Sequence, residues 1–267
     1  MRLPPALTRP IRRVVARTKP IVPERAWPVL LSIRSIPGDG PLVGEPPMSR
    51  VAVLAAHPDD ESLGCAGTMA LLSRRGTPVT VAFATDGEAT RGAPTEAAET
   101  GRRRRGEAEE ACRALGVSDV TFWALPDGGL PDRIDELARR ITGLVSGHDG
   151  LLLPWFLDGH PDHEALSAAL AKATITHPLE VWGYETWTPL PANRIVDVTT
   201  VWPDKTKAVS AHTTARLAFD LDAALGLNRW RSIHGLMGRG YAEAFLAAPL
   251  DDYLALRAAA LDIATTR

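Results

Sequence analysis

The sequence predicts an α/β fold of the Rossmann-like, doubly wound type, in which a mostly parallel sheet lies between two layers of helices. Two observations support this prediction. Short apolar runs alternate with helical segments between residues 50 and 175. The runs are continuously apolar rather than alternating, which is typical of parallel strands that are buried on both faces. The order strand, helix, strand, helix then predicts three layers joined by crossover helices.

The regular pattern begins after a stretch rich in proline and glycine at residues 37–47. Residues 51–56 form a continuous apolar run of strand length. Residues 62–75 place apolar side chains on one side of a helix, which Gly76 ends. Residues 79–84 are again apolar and β-branched, and they predict the second strand.

The same alternation continues through the middle of the chain. Residues 88–100 are rich in small and polar residues and predict a loop, and residues 102–115 predict a helix that ends before a glycine. The remaining regular elements are predicted from apolar runs and helical periodicity, with a proline at the start of the last helix. They are strands 120–125 and 151–155 and helices 134–145 and 161–173.

After Glu180 the pattern is less regular. Residues 181–184 and 195–198 predict two more strands. Residues 205–221 and 241–247 predict helices. We therefore expect a less regular C-terminal section beside the regular sheet.

Composition excludes several classes of protein. The chain has 267 residues, is 45% hydrophobic and carries a formal net charge of −2, so it is neither a disordered chain nor a typical nucleic-acid-binding protein. Its 2 cysteines cannot form a disulfide framework, and they fit a reducing compartment such as the cytoplasm. No apolar run is long enough to predict a transmembrane helix.

The N-terminal residues differ from the rest of the chain. Residues 1–25 are strongly basic and hold a single acidic residue, Glu24, and they lack the apolar core of a signal peptide. We interpret residues 1–47 as a basic arm and linker without stable structure, and residues 48–267 as the folded domain. An alternative hypothesis is that the arm makes a weak contact with an anionic membrane surface.

Acidic and histidine side chains follow each of the four regular strands. Parallel sheets form their binding sites beyond the carboxyl ends of the strands, so we expect these side chains to meet at one edge. The polar segments are His57-Pro58-Asp59-Asp60-Glu61, Asp86-Gly87-Glu88, Asp127-Gly128-Gly129 and Asp158-Gly159-His160-Pro161-Asp162-His163.

The residue types in these segments indicate a hydrolytic metal site. Such a zinc site needs three protein ligands and one open position, and His57 and Asp60 could supply two of them. A third would come from His160 or His163, and the other histidine would then face the substrate. Asp59, beside the ligands, has the chemistry of a general base. The competing interpretation is a polar strand end that caps the following helix.

The segment from Ala56 to Gly64, together with His160-Pro161-Asp162-His163, resembles the LmbE-like, GlcNAc-PI de-N-acetylase family of zinc-dependent N-acetylglucosaminyl deacetylases. The similarity covers residues 50–247 and leaves residues 1–47 without a counterpart. It extends to five further short segments, at residues 85–88, 104–108, 115–117, 127–128 and 241–245.

The resemblance implies a role for particular residues. It implies zinc, with ferrous iron as an alternative, on His57, Asp60 and His163. It makes Asp59 the general base and His160 the group that stabilises the transition state or protonates the amine. It also implies that the substrate contacts Arg104, or a neighbouring arginine, and Asp127. The competing interpretations of these last two are a solvent-facing arginine run and an ordinary turn.

One position departs from the family pattern. Some sugar-thiol members carry a tyrosine two residues before the first histidine of the His-Pro-Asp-His segment, where this chain has Asp158. The departure implies that oxyanion stabilisation rests on the metal and His160. His212 is either a pocket residue or a surface residue, and Trp187 is the tryptophan that we expect near the substrate.

The leading hypothesis is therefore a metal-dependent hydrolase that removes the acetyl group from an N-acetylglucosamine-type sugar in a small metabolite, lipid or glycoside. One alternative is an amidase of the same fold that cleaves another C–N bond. Another is a catalytically silent sugar-binding module, since fold does not determine function. A nucleotide-binding module is disfavoured, because His-Pro-Asp-Asp-Glu stands where a glycine-rich loop would follow the first strand.

Overall fold

The computed structural model describes residues 42–265. Residues 1–41, which contain most of the predicted basic arm, lie outside this described range. The chain divides into two compact units. One spans Gly38–Leu254 and contains the whole sheet, and the described part of the other is the helical segment at residues 255–265.

Strands and helices alternate along most of the described chain. The strands are β1 Leu42–Val43, β2 Val51–Ala55, β3 Val79–Thr85, β4 Asp119–Leu125, β5 Gly150–Pro154, β6 Glu180–Tyr184, β7 Arg194–Asp197 and β8 Ala242–Pro249. The α-helices are α1 Asp60–Gly64, α2 Ala66–Arg74, α3 Ala97–Ala114, α4 Ile134–Val145, α5 Pro161–Leu170, α6 Trp202–Ala211, α7 Asp222–Arg231, α8 Ile233–Leu236 and α9 Leu250–Thr265. Short 3₁₀ turns lie at Leu130–Arg133, Thr199–Val201 and Ala215–Leu217.

The eight strands form one sheet in the order β1-β7-β8-β6-β5-β2-β3-β4. All neighbours run parallel except β8, which is antiparallel to both β6 and β7. Helix α6 packs with α2 and α3, whereas α4 packs with α5. The predicted doubly wound, mostly parallel α/β fold is confirmed. The strand order reverses direction between β2 and β5, and this switch point is where such sheets form their clefts.

The helix predicted at residues 241–247 is wrong. This segment forms β8, and its residues are buried except for the last. Alanine and glutamate favour helices in isolation, but β8 hydrogen-bonds to β6 on one side and β7 on the other. Pairing between two strands and burial on both faces outweigh the intrinsic helix preference, which amounts to less than about 1 kcal/mol per residue.

Several element boundaries also differ from the sequence predictions. The helix predicted at residues 62–75 starts earlier and is interrupted at Cys65, which has a non-helical φ of −143°. The helix predicted at residues 205–221 ends at Ala211. Residues 97–100, predicted as loop, form the first turn of α3, and α7 and α9 were not predicted. Leu42 and Val43, predicted as linker, pair with β7.

A buried ion pair ties α6 to β8 and to the first two helices. Lys205 Nζ lies 2.6 Å from Glu243 Oε1, and both side chains are fully buried. The ammonium group also donates to the carbonyl of Leu63. Glu243 accepts from the backbone N–H groups of Gly67 and Thr68. Every partner of this pair lies on an element near the switch point, so the pair fixes α1 and α2 against the C-terminal section.

We expect Lys205→Met to lower the free energy of unfolding by about 3–5 kcal/mol, because the substitution leaves the Glu243 carboxylate buried without a counter-charge. Urea denaturation followed by circular dichroism measures this loss. Arg74→Met is the matched control, since the Arg74–Asp204 pair is largely exposed, and such pairs contribute about 1 kcal/mol or less. Equal losses in the two variants would contradict the role assigned to Lys205.

Candidate functional site

The switch point brings together the polar segments that follow β2 and β5. β2 ends at Ala55, and β5 ends at Pro154. His57 and Asp60 come from the first segment and His163 from the second, and all three are buried. Glycine is required at the end of α1, since a Cβ atom on Gly64 would lie 2.1 Å from the ring of Tyr184. This close contact holds the first polar segment against β6.

Two imidazoles and one carboxylate face a common point. His57 Nδ1 lies 3.3 Å from His163 Nε2. Asp60 Oδ1 lies 3.2 Å from His163 Nε2, and Asp60 Oδ2 lies 3.6 Å from His57 Nδ1. Ligand atoms about 2.0–2.1 Å from a tetrahedral zinc ion are separated by about 3.3 Å. The two nitrogens and the Asp60 carboxylate are thus close enough together to be the protein ligands of one divalent ion.

Carboxylates behind the two histidines determine which ring nitrogen faces this point. His163 Nδ1 lies 2.6 Å from Asp158 Oδ2. His57 Nε2 lies 3.0 Å from Asp162 Oδ2 and 3.2 Å from Asp127 Oδ1. When these outer nitrogens donate to the carboxylates, His57 Nδ1 and His163 Nε2 keep their lone pairs for a cation. Metal-binding histidines are usually oriented by such partners.

The electrostatics of the group follow from its burial and its acids. Burial alone would lower the pKa of His57, but hydrogen bonds to Asp127, Asp162 and Asp60 raise it well above its ordinary value. Burial is likewise outweighed at His163, where Asp60 and Asp158 raise the pKa to about 9. Burial opposes ionisation of Asp60, but the two histidines hold its pKa well below the usual range. Protons and a metal cation therefore compete for the same nitrogens.

His160 lies beside the ligand group but is more exposed. Its ring centroid is 4.9 Å from that of His57 and 4.8 Å from that of His163. Burial and the neighbouring histidines, His163 and His57, lower the pKa of His160. Its Nδ1 accepts from the backbone N–H of Asp162 at 3.2 Å. In the neutral form the proton is therefore on Nε2, which makes that atom a donor.

Two further donor sets share His57. Ligand atoms of His57, His160 and His163 lie within 4.8 Å of one another, as do those of His57, Asp127 and Asp162. The second set approaches His57 through Nε2. Its contacts, at 3.0 and 3.2 Å, are as short as those of His57, Asp60 and His163, at 3.2 and 3.3 Å. The set of His57, Asp60 and His163 differs from the other two in joining two imidazoles with one carboxylate.

Asp59 is held in an unusual backbone conformation beside the ligands. Its φ is 146°. For a residue other than glycine, a backbone conformation in this region carries a strain energy of about 1–3 kcal/mol. Its backbone N–H donates to Glu61 Oε2 at 3.1 Å. Arg104 Nη2 lies 3.1 Å from Asp59 Oδ2. Burial raises the pKa of Asp59 to about 6, although the Arg104 charge opposes the rise.

His212 supports this strained turn from α6. Its Nε2 lies 3.1 Å from Glu61 Oε1 and 2.9 Å from the hydroxyl of Ser62, and its side chain is buried. Burial lowers the pKa of His212, but the Glu61 carboxylate outweighs this effect and raises it. His212 is therefore a buried partner of Glu61. It is not a surface residue, and it is not among the residues that line the cleft described below.

Arg104 is the buried member of the arginine run on α3. Its guanidinium group donates to the carbonyl of Gly87 at 3.1 Å, to the hydroxyl of Thr90 at 2.9 Å and to the carbonyl of Pro58. Arg102 and Arg103 are exposed, so the solvent-facing interpretation fits them and not Arg104.

Asp127 lies at the same edge, after β4. One carboxylate oxygen faces His57, and the other accepts from the backbone N–H of Ala89 at 3.0 Å. Burial would raise the pKa of Asp127, but the hydrogen bond and charge of His57 lower it.

These side chains line one cleft of about 190 Å³. The lining combines charged and polar residues with apolar ones. It consists of His57, Asp59, Asp60, Leu63, Ala89, Thr90, Arg91, Arg104, Asp127, His160, Trp187, Ala215, Ala218 and Phe219. Six of the seven site residues predicted from the sequence line it, and His163 lies behind it as a fully buried residue.

Sequence reasoning did not assign the carboxylates that orient the histidines. Asp158, noted only as a departure from a family tyrosine, is fully buried and binds His163. Asp162 lies in the predicted His-Pro-Asp-His segment and binds His57, and it also accepts from the backbone N–H groups of Gly128 and Leu130. The need of a ligating histidine for an acidic partner is the signal that could have identified both.

Comparison with known proteins gives a family match that includes both polar segments of the site. The family model described as "PIG-L: GlcNAc-PI de-N-acetylase" matches residues 52–174. The resemblance inferred from the motifs is confirmed. Within the described residues, no helix has the length and apolar character that crossing a membrane requires.

Relatives of the PIG-L domain include named deacetylases. A probable N-acetyl-alpha-D-glucosaminyl L-malate deacetylase 2 of Bacillus subtilis is 37% identical over 131 residues, covering 46% of this chain and 59% of the relative. A 1D-myo-inositol 2-acetamido-2-deoxy-alpha-D-glucopyranoside deacetylase of Kineococcus radiotolerans is 42% identical over 161 residues, covering 47% of this chain and 45% of the relative. The matched segment thus spans roughly half of each curated relative's length.

A solved structure shows the same fold over a larger part of the chain. N,N'-diacetylchitobiose deacetylase from Pyrococcus horikoshii superposes with a TM-score of 0.64 and 22% identity, covering 88% of this chain and 97% of that one. At this identity the comparison supports the fold alone. The fold therefore extends beyond the matched PIG-L residues into the C-terminal section.

We expect Asp158→Asn to weaken binding of a divalent cation about 10–100-fold, because the substitution removes the charged partner that orients His163. Zinc titration in competition with a chromophoric chelator measures the affinity. Asp149→Asn is the matched control, since Asp149 also accepts hydrogen bonds, from Ser49 and Arg50, but lies at the other end of β5. Unchanged affinity in Asp158→Asn would contradict the orienting role.

Proposed function

We propose that this chain is a metal-dependent N-deacetylase that removes the acetyl group from an N-acetylglucosamine-type amino sugar carried by a small metabolite, lipid or glycoside. The observation that supports it most is the 3.3 Å approach of His57 Nδ1 to His163 Nε2 beside Asp60, with Asp59 next to them. The names of the Bacillus and Kineococcus relatives agree with this reaction class.

His57, Asp60 and His163 are the residues that would hold the metal. Two imidazoles and one carboxylate suit zinc, and ferrous iron is the second candidate because it accepts the same ligand types. When bound, such an ion supplies a Lewis acid that polarises a carbonyl group and eases the deprotonation of water. Asp158 and Asp162 hold the two imidazoles in the orientation that this role requires.

Asp59 is proposed as the general base. Its carboxylate lines the cleft and is held by Arg104, so it can take a proton from the water that attacks the acetyl carbon. His160 also lines the cleft, and its Nε2 can stabilise the developing oxyanion or give a proton to the departing nitrogen. The C–N bond then breaks, and acetate and the free amino sugar are released.

Arg104 and Asp127 are proposed to shape the sugar site. Both line the cleft, but each already binds protein groups: Arg104 holds Asp59 and the loop at Gly87, and Asp127 faces His57. Their first contribution is therefore to position the base and a metal ligand, and contact with sugar hydroxyls remains a prediction.

Acetate release from a panel of N-acetylated amino-sugar conjugates tests the proposed function. Activity should disappear with a chelator and return with zinc. The panel should include amides of larger acids on the same sugars, because an amidase of this fold would release the larger acid. A purified metal-loaded chain that releases no acid from any conjugate would contradict the proposal and favour a silent binding module.

We expect Asp59→Asn to keep its metal and lose about 10²–10⁴-fold in turnover, because the amide cannot accept the proton of the attacking water. Metal content by elemental analysis and the rate of acetate release give the two readouts. Asp204→Asn serves as the control, since Asp204 lies on α6 and pairs with Arg74 at the surface. Wild-type turnover in Asp59→Asn would refute the general-base role.

A further inference from the structure

We propose that the cleft holds a separate subsite for an apolar aglycone, an aryl or alkyl group attached to the amino sugar. This inference rests on the proposed deacetylase function. The subsite is formed by an apolar wall, which consists of Leu63, Trp187, Ala215, Ala218 and Phe219. All five line the same cleft as the candidate catalytic residues.

The residues that line the cleft fall into a polar group and an apolar group. The polar residues of the lining can hydrogen-bond to sugar hydroxyls, whereas the apolar wall offers a single hydrogen-bonding side-chain group, the indole N–H of Trp187. A hydroxyl placed against such a surface loses its hydrogen bonds to water without replacement. An apolar group placed there gains free energy as it leaves water. The wall therefore favours a part of the substrate that is not sugar.

Among the residues of the apolar wall that have large side chains, Trp187 is the most exposed, with 53% of its surface accessible to solvent. Its ring centroid lies 4.9 Å from that of Phe219 and 6.3 Å from that of His160, and it is nearly parallel to the His160 ring. An exposed aromatic ring this close to a candidate catalytic residue is an available packing surface for a ligand.

The Trp187 end of the wall is fixed relative to the candidate metal ligands. Asp158 Oδ1 accepts from the backbone N–H groups of Trp187 at 3.1 Å and Thr188 at 3.2 Å. The other oxygen of the same carboxylate binds His163. The tryptophan and the proposed metal ligand therefore share one buried anchor, so little ordering is required when a ligand binds.

Phe219 is supported from behind. It is only partly buried and packs against a small apolar cluster of Leu63, Val209, Ala215 and Leu221. This cluster joins α1 and α6 to the segment that follows α6. Phe219 is thus held at the cleft by packing with residues on several elements.

A sugar ring stacked on Trp187 is the competing occupant of the wall. Stacking of a sugar face needs one aromatic ring, and Trp187 alone would provide it. Phe219, whose ring centroid lies 4.9 Å from that of Trp187, and the exposed Ala218 add apolar surface to the same cleft. The extent of the wall favours a substituent that continues past the sugar.

The test compares the phenyl and methyl glycosides of N-acetylglucosamine as substrates of the zinc-loaded chain. We expect kcat/KM to favour the phenyl glycoside by about tenfold or more, because an aromatic ring gains free energy when it leaves water for the apolar wall. Trp187→Ala, which removes packing area, and Ala218→Asp, which adds a charge at an exposed position, should bring the ratio close to one. Trp230→Ala is the matched control, since Trp230 is similarly exposed, at 49%, and lies outside the cleft.

Calorimetry with the phenyl and methyl glycosides of glucosamine separates this inference from the proposed function. If neither acetylated substrate releases acetate, the deacetylase proposal fails. The subsite would still be supported if the wild-type chain binds the phenyl glycoside more tightly than the methyl glycoside and Trp187→Ala removes this difference in affinity. Absence of a phenyl preference in the wild-type chain would overturn it. If Trp187→Ala weakened binding of both glycosides by the same factor, the subsite proposal would also be overturned. That result would indicate that the Trp187 ring stacks on the sugar.

Discussion

Two imidazole nitrogens brought to 3.3 Å beside a buried carboxylate are the constraint on which this site depends. Lone pairs at that distance repel each other unless a proton or a metal cation lies between them. The protein enforces the approach with two carboxylates, Asp158 behind His163 and Asp162 behind His57. It also places the two histidines on segments that follow β2 and β5, the strands on either side of the switch point.

The C-terminal section is part of this support, although its sequence pattern is irregular. Lys205 on α6 donates to the carbonyl of Leu63 and pairs with Glu243 on β8. His212, at the end of the same helix, binds Glu61. Glu61 in turn accepts from the strained backbone of Asp59. α6 therefore holds the first polar segment in a conformation that α1 alone would not maintain, and the strain at Asp59 is offset by these buried contacts.

The parts that could be predicted from the sequence are those with local signals. Continuous apolar runs identified β2, β3, β4 and β5, and the rule for strand ends then located the acids and histidines at one edge. β8 could not be predicted, because its alanines favour a helix locally and only pairing with β6 and β7 makes it a strand. Residue types and spacing left the choice between His160 and His163 open, since it depends on which ring nitrogen a distant carboxylate engages.

Anomalous diffraction at the zinc absorption edge, from crystals of the zinc-loaded chain, locates the bound ion. We expect one strong peak per chain, about 2.0–2.2 Å from His57 Nδ1, from His163 Nε2 and from a carboxylate oxygen of Asp60. A peak on the opposite side of the imidazole, between His57 Nε2, Asp127 and Asp162, would contradict it. So would a zinc ion that contacts neither His57 nor His163.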